Sequence, residues 1–349
     1  MVAAVFSVTI LGSGSAGNCA LVQTGGTRLL VDGGLSARQI TRRLAEAGVD
    51  AAALDAVVLT HEHCDHVAGL RVLCKQNPHL PVYCTRLTLE VLRKEELAKH
   101  GNIRQFQAGT EFSIGEIGVH SFNVPHDAVD PVGFVFHHGE ESLGFLTDLG
   151  VCTRLALERV RGAKTLLIET NYDDRLLQND TRRPWAIKQR IMSRHGHLSN
   201  VAAAAVIGDL VEHGLERAVL GHLSRDCNTP ELAIREVRTR LEQAGGGACE
   251  IHCATQAEAT PTFRIACGKP GPQETAATDA REQAAAREKA RIEERLAAFF
   301  QEDEEEERLA RPAAGAARAS SGQVFQAARG EMQLPGMAQH DLFFPERRQ

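Results

Sequence analysis

The sequence predicts an α+β fold: two β-sheets packed face to face with helices outside, an αβ/βα sandwich of four layers. Three observations predict it. Short apolar runs alternate with turn signals from the N-terminus to about residue 267. Amphipathic helix patterns lie between several of those runs. Composition then changes near Gly268, where ordered patterning gives way to a charged tail.

The strand-like runs are, in order, VFSVTIL, CALVQ, TRLLVD, AVVLT, PVYC, IGVHSF, VGFVFHH, SLGFLTD, TLLIE, RAVLGH and CEIHCAT. The opening segment lacks a basic start, and Ser7 and Thr9 interrupt its apolar stretch, so it reads as a first strand rather than a signal peptide. Helices are expected in SARQITRRLAEAG, NVAAAAVIGDLVEHG and TPELAIREVRTRLEQAG. In the last, Thr229 is placed to cap, with Pro230 at the first helical position. A domain is therefore expected over residues 1–267, followed by a tail over 268–349. The tail contains an acidic run from Glu302 to Glu307 and is read as partly helical or disordered.

Composition limits the functions available. The net charge of -6 gives no global attraction to nucleic acid, so such a substrate needs a local basic surface or metal ions. One Trp and two Tyr are too few for a platform stacking several bases. The nine Cys form no C-x-x-C pair, which suggests reduced thiols in a cytoplasmic protein rather than a disulfide framework. No apolar run reaches the length of a membrane span. Gly12-Ser13-Gly14-Ser15-Ala16-Gly17 fits the dinucleotide fingerprint G-x-G-x-x-G, but a strand-like run follows it where a helix is required. NAD and FAD are set aside on that ground, although the loop can still bring backbone N–H groups near an active site.

The densest chemistry lies in THEHCDH, Thr60 to His66, which follows the β-branched run AVVLT. His61, His63, Asp65 and His66 leave one turn in different directions. Imidazole nitrogen and carboxylate oxygen suit Zn²⁺ or Mn²⁺, with Fe also open.

HEHCDH resembles the H-x-H-x-D-H motif of the metallo-β-lactamase superfamily, and further motifs follow in that superfamily's order over about residues 5–267. The resemblance implies the metallo-β-lactamase fold and two divalent metal ions. By it, His61, His63 and His126 (in NVPHD) hold one metal, and Asp65, His66 and His222 (in VLGHLS) hold the other. Asp148 in FLTDLG bridges the two, and Asp32 in LLVDGG buttresses the metal loop. Two metals about 3.5–4 Å apart can supply a nucleophile at neutral pH, and Asp65 can orient it.

A narrower similarity is to the YycJ (WalJ) group of that superfamily, carried by LGSGSAGNCALVQ, THEHCDHVAGL, LLIETNYDD, PWAIKQRIMSRHGHLSN and LGHLSRDCNTPEL. It implies a 5′-to-3′ DNA exonuclease linked to DNA repair. GHLS also resembles a histidine motif of tRNA-processing relatives, which implies a catalytic role for His197 near the scissile phosphate. Ser199, Asn200 and Ser224 are candidate phosphate ligands, with helix capping the alternative for Asn200. Lys188, Arg190 and Arg194 offer a small local positive patch, with a solvated helix face the equal alternative. Cys64 and Tyr172 depart from the family pattern, and Tyr172, standing where relatives often carry His, weakens the case for a ligand at its position. Near the end of the chain, Gln339, Asp341, Leu342, Phe343 and Phe344 resemble the peptide that docks on the bacterial sliding clamp, the alternative being that Phe343 and Phe344 cover an apolar patch on the catalytic domain. The alternative function is a metal-dependent hydrolase of a small phosphodiester or thioester.

Overall fold

A computed structural model describes residues 6–93 and 100–265, together with Arg287 and Ala290. All of the architecture below belongs to the unit spanning Met1–Gln301. The rest of the 268–349 tail, with its acidic run and the segment 339–344, lies outside the described residues.

Each run read as a strand is one. They form β1 (Ser7–Gly12), β2 (Cys19–Gln23), β3 (Arg28–Val31), β4 (Ala56–Val58), β5 (Val82–Thr85), β8 (Ile117–Asn123), β9 (Val132–His138), β10 (Glu141–Leu146), β11 (Thr165–Glu169), β12 (Arg217–Gly221) and β13 (Glu250–Cys253). Three strands escaped the sequence reading: β6 (Ile103–Phe106), β7 (Glu111–Ile114) and β14 (Phe263–Arg264). These are short, and β6 and β7 each carry exposed residues at sheet edges, so neither shows a clean apolar run. Two seven-stranded sheets result, ordered β14-β1-β2-β3-β4-β5-β6 and β13-β12-β11-β10-β9-β8-β7.

Alternation of side chains across the pleat divides the core. Leu29 and Val31 of β3 face the second sheet, with Val8, Ile10, Val58, Phe134, Phe136 and Val219. Leu30, between them, faces outward onto Ile40 and Leu44 of α1 (Ala37–Glu46) and Leu70 and Leu73 of α3 (Leu70–Gln76). In β12, Val219 faces the other sheet while Ala218 and Leu220 pack under α8 (Asn200–Val211) and α9 (Pro230–Gln243). Full burial of each such aliphatic side chain contributes about 1.5–3 kcal/mol. The layers are therefore helix, sheet, sheet, helix, as expected.

Local signals set the helix starts. Ser36 and Gln39 form a reciprocal capping box on α1. Thr229 caps α9, with Pro230 in its first turn. Shorter helices among the described residues include α2 (Cys64–Val67), α4 (Arg86–Leu92), α5 (Arg154–Val160), α6 (Asp174–Asn179) and α7 (Trp185–Ile191). The glycine-rich loop after β1 leads into β2, not a helix, so it lacks the element a dinucleotide would need. Among the described residues the cysteines are free thiols, and no helix is long and apolar enough to cross a membrane.

Candidate metal centre

Strands β3 and β4 run parallel, as do β10, β11 and β12, and β8 shares the direction of β10 through the antiparallel β9 between them. Their carboxyl ends carry the predicted residues. Asp32 follows β3, the His61–His66 turn follows β4, His126 follows β8, Asp148 follows β10 and His222 follows β12. Asp32, Asp148 and His222 have φ of 61°, 57° and 52°, and among the described residues they are the non-glycines with positive φ. Left-handed backbone costs a side-chain-bearing residue about 1–3 kcal/mol, and such strain gathers at functional sites.

The turn between His61 and His66 is pressed against the Gly33-Gly34 segment. Gly33 N donates to His66 O (2.7 Å), and Asn18 N donates to Asp65 O (2.7 Å). A Cβ on Gly34 would sit 1.7 Å from Asp65 O, so only glycine fits there.

Hydrogen bonds on the far side of the His61, His66, His126 and His222 rings decide which nitrogen faces the centre. Asp32 is buried, accepts from Thr60 N (2.8 Å) and lies 2.8 Å from His66 Nδ1, which donates to it. Thr60 Oγ1 lies 3.0 Å from His61 Nδ1. His126 Nδ1 donates to Gly196 O (3.1 Å), and His222 Nδ1 lies 2.8 Å from Glu169 Oε1. The opposite nitrogens therefore converge. His61 Nε2 is buried without a hydrogen-bond partner. Buried Asp148 Oδ2 makes no hydrogen bond of good geometry, although His66 Nε2 lies 3.1 Å away. Buried donors and acceptors left unmade cost about 1–3 kcal/mol each, so these orphans fit a cation that would complete them.

Donor atoms within 4.8 Å of one another group as His61, His63 and His126; as Asp65, His66 and His222; and as His61, His66 and Asp148. Asp148 lies between the two trios, with Oδ1 3.9 Å from His126 Nε2. Burial and neighbouring charges shift these groups in opposite directions. Burial and the neighbouring His66 push the His61 pKa well down. At His66 and His222 burial also acts downward, but Asp148 outweighs it, with Asp32 helping at His66 and hydrogen bonds from Asp65 and Glu169 helping at His222. His66 is held well above the usual histidine range and His222 near about 10.

Two residues missed in the sequence complete the cluster. Glu169, the last residue of β11, is fully buried. Its Oε1 lies 2.6 Å from His197 Nδ1 and 2.8 Å from His222 Nδ1, and its Oε2 accepts from Leu149 N (3.0 Å) and Leu198 N (3.2 Å). Both oxygens are thus occupied by protein donors, which makes Glu169 a support rather than a ligand, although it also lies in a donor group with Asp148, His197 and His222. Its only signal was an acid ending the apolar run TLLI. Asn18, in the glycine-rich loop, places Nδ2 3.2 Å from His66 Nε2 and 3.4 Å from Asp65 Oδ2. Ser13 Oγ links that loop to the end of β12 by accepting from His222 N (2.8 Å).

His197 stands beside the centre, its ring 5.2 Å from that of His126 and 5.3 Å from that of His222. Burial lowers its pKa, but the Glu169 charge and hydrogen bond outweigh this and raise it. Of the candidate phosphate ligands, Ser199 caps α8 through Ala202 N (3.2 Å). Asn200 is buried against Asn228 through paired side-chain hydrogen bonds of 2.9 and 2.8 Å. Ser224 is half-buried and accepts from Cys227 N (3.3 Å). Tyr172 is buried. Cys64 is exposed.

Comparison with known proteins agrees with this geometry. A family model described as "Beta-lactamase superfamily domain" matches residues 27–223. The exodeoxyribonuclease YycJ of Bacillus anthracis is 36% identical over 252 residues, covering 70% of this chain and 93% of that protein. The exodeoxyribonuclease WalJ of Streptococcus pneumoniae serotype 2 is 35% identical over 266 residues, covering 74% and 98%. Among solved structures, the metallo-β-lactamase fold protein YhfI from Bacillus subtilis superposes with a TM-score of 0.59 at 22% identity, over 74% of this chain and 99% of that one. The chain belongs to the metallo-β-lactamase superfamily and is a metal-dependent hydrolase. Within that superfamily it falls in the YycJ/WalJ group.

Proposed function

We propose that the protein is a two-metal phosphodiesterase that digests DNA from a 5′ end in repair. The observation that carries this reading is the Glu169–His197 pair. It holds an imidazole beside the ligand cluster, outside both trios, with its Nδ1 engaged at 2.6 Å and its other nitrogen turned away from that bond. The exodeoxyribonuclease names of the two relatives supply the substrate class.

His61, His63 and His126 would hold one Zn²⁺ or Mn²⁺ and Asp65, His66 and His222 the other, with Asp148 shared; iron ligation also fits imidazole and carboxylate. Bound divalent metals supply Lewis acidity and water deprotonated near neutral pH. The chain's own groups do the rest. Asp32 and Glu169 fix the tautomers of His66 and His222. Asp65, partly exposed, is placed to accept a hydrogen bond from the attacking water and so aim it at phosphorus. His197, protonated through Glu169, gives its Nε2 proton to the departing oxygen. Ser224, half-buried and two residues after His222, is the candidate retained for a non-bridging phosphate oxygen.

The peptide containing Gln339, Asp341, Leu342, Phe343 and Phe344 would dock on a sliding clamp and raise the enzyme's effective concentration at DNA ends. Its support is the sequence resemblance alone.

His197→Ala tests the reading. The variant should keep its metals and lose about 10²–10⁴-fold in kcat on end-labelled DNA. Wild-type cleavage by it would remove His197 from the reaction. Absence of DNA cleavage by the wild type with any metal would favour a small phosphodiester or thioester substrate.

A further inference from the structure

The chain between β11 and His197 leaves the sheet and returns, carrying α6 and α7. From Asp174 to His195 it holds six Lys and Arg (Arg175, Arg182, Arg183, Lys188, Arg190 and Arg194) against two Asp, in a chain whose net charge is -6. It is tied directly to the metal centre. Arg190 on α7 pairs with Asp127, the neighbour of His126. His197 N donates to Ile191 O (2.9 Å), and Gly196 O accepts from His126 Nδ1. A Cβ on Gly150 would meet the Arg194 carbonyl carbon at 2.5 Å, so this turn also packs two residues beyond Asp148.

The outer surface of this excursion is not that of an ordinary solvated helix. Trp185, the chain's one Trp, is 60% exposed at the start of α7, and Ile187 is 41% exposed. Ile187 and Arg190, three apart on the helix, share a side. Arg194 is exposed, and among the described residues its side chain has no ion pair or hydrogen bond. Arg182 and Arg183 are held by Asp180 and Asp226, so they stiffen the base of the excursion instead of offering free charge.

We propose that α7 and the turn after it form the wall that receives the single-stranded end of the substrate, with a base stacked on Trp185 and a phosphate on Arg194. The proposal rests on the reading of DNA as substrate. Lys188 is buried and Arg182, Arg183 and Arg190 are paired, so among the described residues the free cation of α7 and the turn after it is exposed Arg194. That charge favours a polyanion, and the exposed indole of Trp185 on the same excursion favours one with planar bases over a small phosphodiester. A single aromatic serves one base, so the shortage of aromatics elsewhere is no obstacle.

The sole Trp makes the test direct. The full-length metal-loaded enzyme is titrated with a cleavage-resistant phosphorothioate single strand of about 12 nucleotides. Trp fluorescence should change saturably, with the same midpoint as the anisotropy of a labelled strand. Trp185→Ala should raise KM on single-stranded DNA by roughly 5- to 150-fold, the range for one lost base stack, with little change in kcat. Trp185→Phe should recover part of the loss. Arg194→Ala should weaken binding and reduce the salt slope by about 1. Hydrolysis of bis-p-nitrophenyl phosphate should be unchanged in these variants, which checks that the centre is intact. DNA digestion with wild-type KM in Trp185→Ala, or fluorescence that stays flat while anisotropy reports binding, overturns the inference and leaves the nuclease reading standing. A wild-type chain that neither binds nor digests DNA overturns both.

Discussion

Replacing Glu169 by Gln changes the shape of the site least and its chemistry most. The carboxylate takes four donors, two histidine N–H groups on one oxygen and two backbone N–H groups on the other. A glutamine amide has one oxygen, so its NH₂ faces either the two backbone N–H groups, which then lose their acceptor, or the two rings, which must then give up the Nδ1 proton and accept. The first orientation costs about 1–3 kcal/mol per N–H, about 2–6 kcal/mol in chemical unfolding of the metal-free protein, and the second removes the protonated imidazoles. His222 loses the charge that orients it, and metal affinity should fall about 10–100-fold. His197 loses its partner as well. Burial already works against its protonation, and the Glu169 charge and hydrogen bond are what outweigh burial. Without them the His197 pKa falls. If protonated His197 is the acid, the alkaline limb of the kcat profile moves to lower pH in Glu169→Gln, and kcat at pH 8 drops more than at pH 6. Stopped-flow or steady-state digestion of end-labelled DNA across pH, at saturating metal, reads this. A variant with wild-type kcat, an unmoved alkaline limb and wild-type metal affinity would refute the role given to this carboxylate.

Gly34→Ala should displace the His61–His66 turn, since its Cβ would sit 1.7 Å from Asp65 O; overpacking of this kind costs about 1–3 kcal/mol, and calorimetric metal titration should show weakened binding. Arg43 is buried and donates to Leu11 O, Gln256 O and Ala257 O, so Arg43→Met should lower unfolding stability by about 3–5 kcal/mol, whereas an unchanged denaturation midpoint would show that those carbonyls find other donors. Because His66 and His222 are held protonated without metal, metal uptake should release protons, visible as a binding enthalpy that varies with the buffer's ionisation enthalpy; equal enthalpies in phosphate and Tris would contradict it. Deleting residues 339–349 should abolish affinity for the sliding clamp of the same organism while leaving hydrolysis of short substrates intact, and equal clamp affinity with and without the segment would end that proposal.

Much of this site was legible because its residues announce themselves in clusters or at strand ends. His61, His63, Asp65 and His66 occupy one turn after a β-branched run, and Asp32, Asp148 and His222 each follow an apolar run at its carboxyl end. The sheets were equally legible, since inward and outward residues alternate in runs such as RLLV and RAVLG. Glu169 and Asn18 were not legible as functional residues. Each acts by touching residues distant in sequence, and a single acid after TLLI or a single Asn after a glycine loop carries no pattern of its own. The left-handed backbone at Asp32, Asp148 and His222 left no mark either, because the strain is imposed by neighbouring strands and not by the residues' own propensities. Strands β6 and β7 were missed for a related reason: their partly exposed sides at sheet edges dilute the apolar signal.

The most direct measurement joins metal content to cleavage in one preparation. Purified protein is assayed for bound metal by elemental analysis and, in parallel, given DNA labelled at the 3′ end, with and without chelator and then with Mn²⁺ or Zn²⁺ restored. The account predicts near two equivalents per chain, falling in His63→Ala and Asp148→Ala. It also predicts stepwise shortening from the 5′ end that stops with chelator and returns with metal. Full occupancy in both variants, or shortening that proceeds equally in chelator, would contradict it.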